Sequence, residues 1–527
     1  MKKYMLAMLA IALAATSLQA KKKPEGPQLQ FDESTARRGT LTMPRGQVVK
    51  FTAYERLYYV THVEDTTYQY LNVYVPEGAT QKTPIFMRTY VGGYMAAPAS
   101  RPQAGDATGR ALQEGYVVVI PGSRGRDSQQ RIAVATEGAT IQGLDSTDYY
   151  TGRAPKGLLD LKAAVRYLRY FDKKMLGSAE KIIIDGTSAG GAMAALVGAT
   201  GNNPAYEPLL EAMGAAKTRD DVMAAVCFCP IIDLEHADMA YEWLYNGVRG
   251  LDHSTGSEER RALSNELAAL YPAYLNSLGL TIPGTGERLT ADNMLDYIKQ
   301  LLIEGAQRAK DAGAEMPDSI GFVFSGSARM APPINGQPAP VTRENRLQSA
   351  VSIFNRSRRT PGGLTGMGHM KPQLGEYILD LNMPKYLAYV AKMQPLKSVP
   401  AFDALGVVGA EATGENEVFG TETGISLNFT AFSAAHNGTQ VLPEVQERVR
   451  MMNPMTFLGQ KKTDVAKYWY IRHGARDRDT AFPVPVVFAT KLQNLGKDVD
   501  FLLAWNRPHS GDYSLDELFA WMKGILN

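Results

Sequence analysis

Cysteine is nearly absent: the 527 residues contain two, Cys227 and Cys229. They sit two apart in one apolar run, where strand alternation points both to the same face and neighbours along a single strand rarely bridge. A disulfide framework is excluded, and both thiols read as buried packing residues. No further ligands stand at metal-binding spacing around them, so no metal is expected. Long hydrophobic runs are missing too, since none reaches the ~20 residues that a spanning helix needs. Repeat periods and low-complexity tracts are lacking, and only residues 21–27 look like a disordered leader. Excess charge of one sign is also lacking, the formal net charge being +2. The chain opens Met1-Lys2-Lys3, runs apolar over residues 5–15 and reaches a small residue at Ala20, the pattern of a cleaved signal peptide covering residues 1–20. Loss of Lys2 and Lys3, with no acid among those residues, lowers the net charge from +2 to 0. No cysteine follows the apolar stretch, so a lipid-modified start is not indicated and no membrane anchor is expected. A near-neutral body argues against nucleic acid or a membrane surface as partner.

What is present is an ordinary globular composition, 45% hydrophobic and 21% charged. The length exceeds what one core usually supports, which implies a main domain with a large insertion. Residues 84–90, 116–120, 181–185 and 224–228 are near-continuous apolar runs, as in strands buried on both faces of a mostly parallel sheet. Over residues 157–168, Leu158, Leu161, Val165 and Leu168 recur at three- and four-residue steps, the mark of an amphipathic helix. Strand, helix, strand at this spacing predicts an α/β, doubly wound sheet. The alternation breaks after Pro230. Helical stretches follow at 258–278 and 291–312, with Gly/Pro-rich loops at 331–341 and 360–368. Strand character returns at 468–473 and 500–505, around a helical segment at 483–495, and residues 515–526 read as a closing helix. The expected organisation is a core in two parts, residues 21–235 and 446–527. Residues 236–445 are expected as an inserted lid over the carboxyl edge of the sheet, where open α/β folds bind ligands.

Between the third apolar run and a small-residue helical stretch stands Gly186-Thr187-Ser188-Ala189-Gly190. Strand, sharp turn and helix is the setting in which a G-x-S-x-G pentapeptide becomes a nucleophile elbow. A serine hydroxyl becomes a useful nucleophile only when a base takes its proton and an acceptor orients that base. Seven histidines are available, and hydrolase order places the acid and then the histidine on loops after later strands. His509, four residues past the run ending at Trp505, fits the base. Asp477, just after the strand ending near Arg472, fits the acid, with Asp479 as its rival. His473 precedes Asp477 and is read as a structural histidine. The oxyanion of a tetrahedral intermediate needs backbone donors. The Ala189 N–H supplies one, and Gly92 or Gly93, in the loop after residues 84–90, supplies the other or forms a plain turn.

With Gly186-Thr187-Ser188-Ala189-Gly190-Gly191, the run from Cys229 to Asp238 and the Asp477-Arg478-Asp479 pair together, the chain resembles the bacterial tannases from about residue 50 to its end. These are α/β-hydrolase esterases with a large lid that cleave galloyl esters. The resemblance implies that Lys397, Glu415 and Asp479 grip the phenolic hydroxyls of the acyl ring. The stretch before Glu415 is a few residues longer than in the family, which leaves Glu411 and Glu417 as rivals. Ile231 packs on the ring face or belongs to the core. The expectation is an exported serine esterase, periplasmic or secreted, that cleaves small phenolic esters, most of all galloyl esters, without a cofactor. The alternatives are a feruloyl or acetyl esterase with the same triad, and a non-catalytic binder on a hydrolase scaffold.

Overall fold

The computed structural model describes residues 28–134, 145–249, 257–325, 377–407 and 412–527. The leader at 1–20, the run at 21–27, the loops at 331–341 and 360–368, and Glu411 lie outside these residues. In chain order the strands are β1 (Arg37–Thr42), β2 (Val48–Tyr58), β3 (Tyr70–Pro76), β4 (Pro84–Arg88), β5 (Val117–Pro121), β6 (Gln129–Val134), β7 (Asp145–Tyr150), β8 (Ser178–Thr187), β9 (Ala224–Phe228), β10 (Phe322–Phe324), β11 (Ile378–Leu381), β12 (Tyr468–Gly474) and β13 (Asp498–Ala504). Nine of them form one sheet in the order β1-β2-β3-β5-β4-β8-β9-β12-β13. Pairing is antiparallel from β1 to β5 and parallel from β5 to β13. The hairpin β6–β7 and the pair β10–β11 stand apart from it.

Period-two alternation divides the strands between two cores. Met87, Val119, Ile184, Ala225, Cys227 and Ile471 face one side, while Phe86, Val118, Ile183, Val226, Phe228 and Tyr470 face the other. The first side is covered by α2 (Lys156–Tyr170) through Leu158, Leu161, Val165 and Leu168, and by α3 (Ala189–Ala199). The second is covered by α1 (Ala107–Gln113) and the closing helix Leu515–Leu526. Each buried Leu or Val contributes about 1.5–3 kcal/mol relative to an exposed one. Strands covered on both faces read as the unbroken apolar runs seen in the sequence. The leading antiparallel strands β1 and β2 escaped that reading because their burial is mixed and partly exposed.

The order reverses between β4 and β8. From β4 the chain moves outward to β5 and then returns past β4 to β8, which opens a crevice at the carboxyl ends of β4 and β8. Between β9 and β12 the described residues add no strand to the main sheet. They follow α4 (Glu207–Ala212) and β9 and form α5 (Leu234–Tyr245), α6 (Glu258–Ser277), α7 (Ala291–Asp311) and the shorter helices Met383–Met393, Gly414–Val418 and Ala431–His436. Among the described residues no helix is long and apolar enough to cross a membrane.

Cys229 departs from its expected place. It lies one residue beyond β9 with φ at 43°. That turn breaks the alternation, so Cys227 packs in one core and Cys229 in the other. Both thiols are free.

Candidate active site

Ser188 is the only residue between β8 and α3, and its backbone is held at φ 62°, ψ −125°. A non-glycine residue there carries strain of order 1–3 kcal/mol and persists only where its surroundings enforce it. The surroundings are backbone. A Cβ on Gly186 would lie 2.2 Å from the Gly190 carbonyl oxygen, one on Gly190 2.7 Å from that of Val91, and one on Gly191 2.6 Å from that of Phe228. The three glycines therefore let β8, α3, the loop after β4 and the end of β9 meet around one serine. The Ser188 N–H donates to the Phe228 carbonyl at 2.9 Å, which anchors the turn to β9.

His509 and Asp477 converge on that serine. The His509 Nε2 lies 2.8 Å from the Ser188 Oγ, and its Nδ1 lies 2.8 Å from the Asp477 Oδ2. The tautomer that satisfies both contacts carries its proton on Nδ1 and accepts the serine proton at Nε2. Asp477 is fully buried, and its Oδ1 accepts from the Asp479 N–H at 2.8 Å. Burial pushes the Asp477 carboxyl up, but His473, the His509 hydrogen bond and the Asp479 amide outweigh it, and the group ends below the usual carboxylate range. Burial also lowers His473, whose ring stands edge-on to Phe482 with its Nδ1 3.7 Å from Asp477. His473 thus backs the acid and does not reach the serine. For His509 itself, burial acts downward, while Asp477 and then Asp479 act upward and prevail; Lys397 opposes them.

The Cys229 Sγ lies within 4.8 Å of donor atoms of both Asp477 and His509, a cluster that sequence spacing does not reveal. Each of these groups is committed to hydrogen bonding, the thiol donating to the Ser510 carbonyl at 2.8 Å.

Ala189 opens α3, where the first N–H groups of a helix have no partner within it. Gly92 and Gly93 follow β4 on the loop whose Val91 carbonyl touches the elbow. Gly93 has φ 55°, and its carbonyl accepts from the Arg126 Nε at 2.8 Å. The Gly92 carbonyl accepts from the Met95 N–H at 2.9 Å. Tyr94, which the sequence reading passed over, is buried and donates to the Ile231 carbonyl at 2.7 Å. It ties this loop to the turn after β9. Ile231 is 7% exposed and belongs to the core cluster, its N–H 3.4 Å from the Ser188 carbonyl.

The three polar candidates lie around this centre. Asp479 places its Oδ2 3.9 Å from the His509 Nδ1 and pairs with Arg478 at 3.1 Å. The Lys397 ammonium stands 3.6 Å from the centroid of the Phe402 ring, and its charge acts on both His509 and Asp238. Its backbone is clamped by the Tyr241 hydroxyl at 3.0 Å and by Arg249 at 3.0 Å. Glu415, in the first turn of Gly414–Val418, acts on the buried Tyr94 hydroxyl. Glu417 instead pairs with Arg126 and borders a separate polar cavity of about 210 Å³ lined also by Asp127, Tyr150 and Arg153.

A buried carboxylate network joins these segments. Asp238 on α5 accepts from the Phe402 and Asp403 N–H groups at 2.7 and 3.0 Å. Burial and then the Asp403 charge push Asp238 up to about 7. Asp403 accepts from Asn416 and Asn428 at 2.7 Å each, from the Thr430 N–H at 2.7 Å and from its hydroxyl at 2.6 Å. Asp403 thereby registers the Lys397 segment against the helix that carries Glu415. No local sequence signal marks it, since its partner Asp238 is 165 positions away.

A family model described as BD-FAE matches residues 146–268, and no curated protein matches the chain. Among solved structures, the tannin acyl hydrolase from Lactobacillus plantarum is similar at 33% identity and a TM-score of 0.74, over 94% of this chain and 98% of that one. The Fusobacterium nucleatum tannase is similar at 31% identity and a TM-score of 0.75, over 95% and 100% of the two chains. A tannin acyl hydrolase solved in complex with 3,4-dihydroxybenzoate stands at 34% identity and a TM-score of 0.75, over 94% and 98%. Sheet order and these likenesses define the molecule as an α/β-hydrolase and, by activity class, a carboxylic ester hydrolase. Within that class the chain belongs to the tannase family.

Proposed function

We propose that the chain is an exported serine esterase that hydrolyses phenolic acid esters, above all galloyl esters, through Ser188, His509 and Asp477. The observation that carries this is the pair of 2.8 Å contacts joining the three side chains at the elbow. The Ser188 Oγ attacks the ester carbonyl carbon as the His509 Nε2 takes its proton, and Asp477 holds the resulting imidazolium in place. The carbonyl oxygen, now negative, accepts from the Ala189 N–H and from Gly92 or Gly93. Collapse breaks the bond to the alcohol oxygen, to which His509 returns the proton, leaving the acyl group on Ser188. Water attacks that ester by the same route in reverse and frees the acid. No cofactor enters these steps.

Lys397, Glu415 and Asp479 serve the acyl ring. Adjacent phenolic hydroxyls both donate and accept, so two carboxylates and one ammonium satisfy them. A site built in this way rejects rings without those hydroxyls by about 10⁴-fold where buried groups are left unpaired. Support comes from relatives solved with ethyl gallate and with 3,4-dihydroxybenzoate. The lid, residues 236–445, brings Lys397 and Glu415 over the carboxyl edge of the sheet, and residues 1–20 direct export. Ser188→Ala should fold normally and lose activity on methyl gallate by at least ~10³-fold; full activity in that variant ends the assignment. A panel of gallate, protocatechuate, ferulate and acetate esters then reads the acyl preference. Equal rates across the panel sink the galloyl assignment and leave a general esterase.

A further inference from the structure

We infer that Arg88 and Asp512 form a positioning pair that holds the His509 imidazole against Ser188, an inference that rests on the triad reading above. The loop carrying His509 does not fold by local preference. Asn506, Asp512 and Ser514 all have positive φ, at 54°, 56° and 57°, so contacts from elsewhere must hold it. Before the histidine, the Arg507 and Pro508 carbonyls lie so close to Gly474 that a Cβ there would come within 2.3 and 2.5 Å of them.

After the histidine, three consecutive residues are each fixed to a different part of the sheet. The Ser510 carbonyl accepts from the Cys229 thiol just beyond β9. Gly511 presses on the Thr187 side chain at the end of β8, leaving no room for a Cβ, which would lie 1.9 Å from its Oγ1. Asp512 receives a two-point fork from Arg88, the last residue of β4, at 2.8 and 3.1 Å. The same buried guanidinium pairs with Asp185, three residues before the nucleophile, and the next residue, Thr89, donates its N–H to the Asp185 carbonyl at 3.0 Å. One side chain therefore links the strand that leads to Gly92 and Gly93, the strand that leads to Ser188, and the loop of His509.

Burial pushes the Asp185 carboxyl up to about 7 despite Arg88, and the Asp512 charge adds to that rise. The second carboxylate comes from 424 positions away and shares the charge of the guanidinium while giving it direction. A planar fork fixes both the distance and the orientation of its partner. A misplacement of ~1 Å at a proton-transfer contact costs about 10²-fold in rate.

The test uses the full-length enzyme with Asp512→Ala, which leaves the Arg88–Asp185 pair intact. At unchanged melting temperature, kcat on methyl gallate should fall about 10²-fold while KM stays within threefold. Labelling of Ser188 by a fluorophosphonate should slow in parallel, because it reads the serine–histidine contact without the acyl site. Asp512→Asn, whose amide oxygen still accepts from Arg88, should recover at least tenfold of that loss. Arg88→Lys, with no fork, supplies a second route to the same loss if Asp512→Ala folds poorly. A kcat within threefold of the parent in folded Asp512→Ala overturns the proposal, as does a loss that Asp512→Asn does not relieve. Full activity in Ser188→Ala would instead remove the triad beneath it, so the two failures are distinguishable.

Discussion

Ser188, Asp477 and His509 stand within five residues of the ends of β8, β12 and β13, whereas Lys397 and Glu415 stand on segments that contribute nothing to the main sheet. The first group is placed by strand register and by glycines packed on backbone. The second depends on two buried carboxylates, Asp238 and Asp403, and on the clamp that Tyr241 and Arg249 place on Lys397. The proposed bond-breaking residues are thus built onto the ends of the sheet strands. The residues proposed to recognise the acyl ring are carried by parts whose register is set by side chains.

That contrast is broken or sharpened by three further measurements. Lys397→Ala and Glu415→Ala should each lower kcat/KM on methyl gallate by about 10–10²-fold, as expected for losing one hydrogen bond to a charged group of ~1.5–3 kcal/mol. Hydrolysis of a nitrophenyl acetate should change less than threefold. Equal losses on both esters would show that the two regions are not separable. Asp403→Asn should have a smaller effect, about tenfold on methyl gallate and none on the acetate ester. Its amide would turn donors toward the Thr430 N–H and hydroxyl, which need an acceptor. An effect as large on acetate would make Asp403 a support of the whole fold.

The smallest effect is on pH. His509 must be neutral to accept the serine proton, and its pKa is raised above 6.5, so the acid limb of kcat/KM should lie above the ordinary histidine value. Asp479→Asn removes a charge that raises the pKa and should move that limb to lower pH. Lys397→Ala removes a cation that lowers it and should move the limb to higher pH. A pH–rate profile of each variant reads both shifts, and a limb that does not move in either would detach the acyl-ring residues from the base.

The same division governs how much was legible in the sequence. The elbow is local: an apolar strand, a sharp turn and a small-residue helix lie side by side in the chain, and β8, Ser188 and α3 follow that pattern. Chain order points to Asp477 and His509, each shortly after a readable strand. By contrast, the Asp238–Asp403 contact and the Arg88–Asp512 fork join residues 165 and 424 positions apart. Periodicity carries no trace of such pairs, and a lone Asp or Arg in a sequence reads as a surface charge. Cys229 was misplaced for a related reason, because one backbone turn past the end of β9 reversed its face. Glu415 could not be separated from Glu417 by spacing, yet the Arg126 ion pair commits Glu417 elsewhere.

The elbow glycines carry a last consequence, for how this enzyme can change. At positions 186, 190 and 191 even one extra methyl group collides with a carbonyl oxygen, so substitution there is closed and the cradle of Ser188 is frozen. At Gly92 an added methyl group meets no other atom within 4 Å. Laboratory evolution toward new acyl or alcohol groups therefore has room at Gly92 and almost none at the three glycines around Ser188.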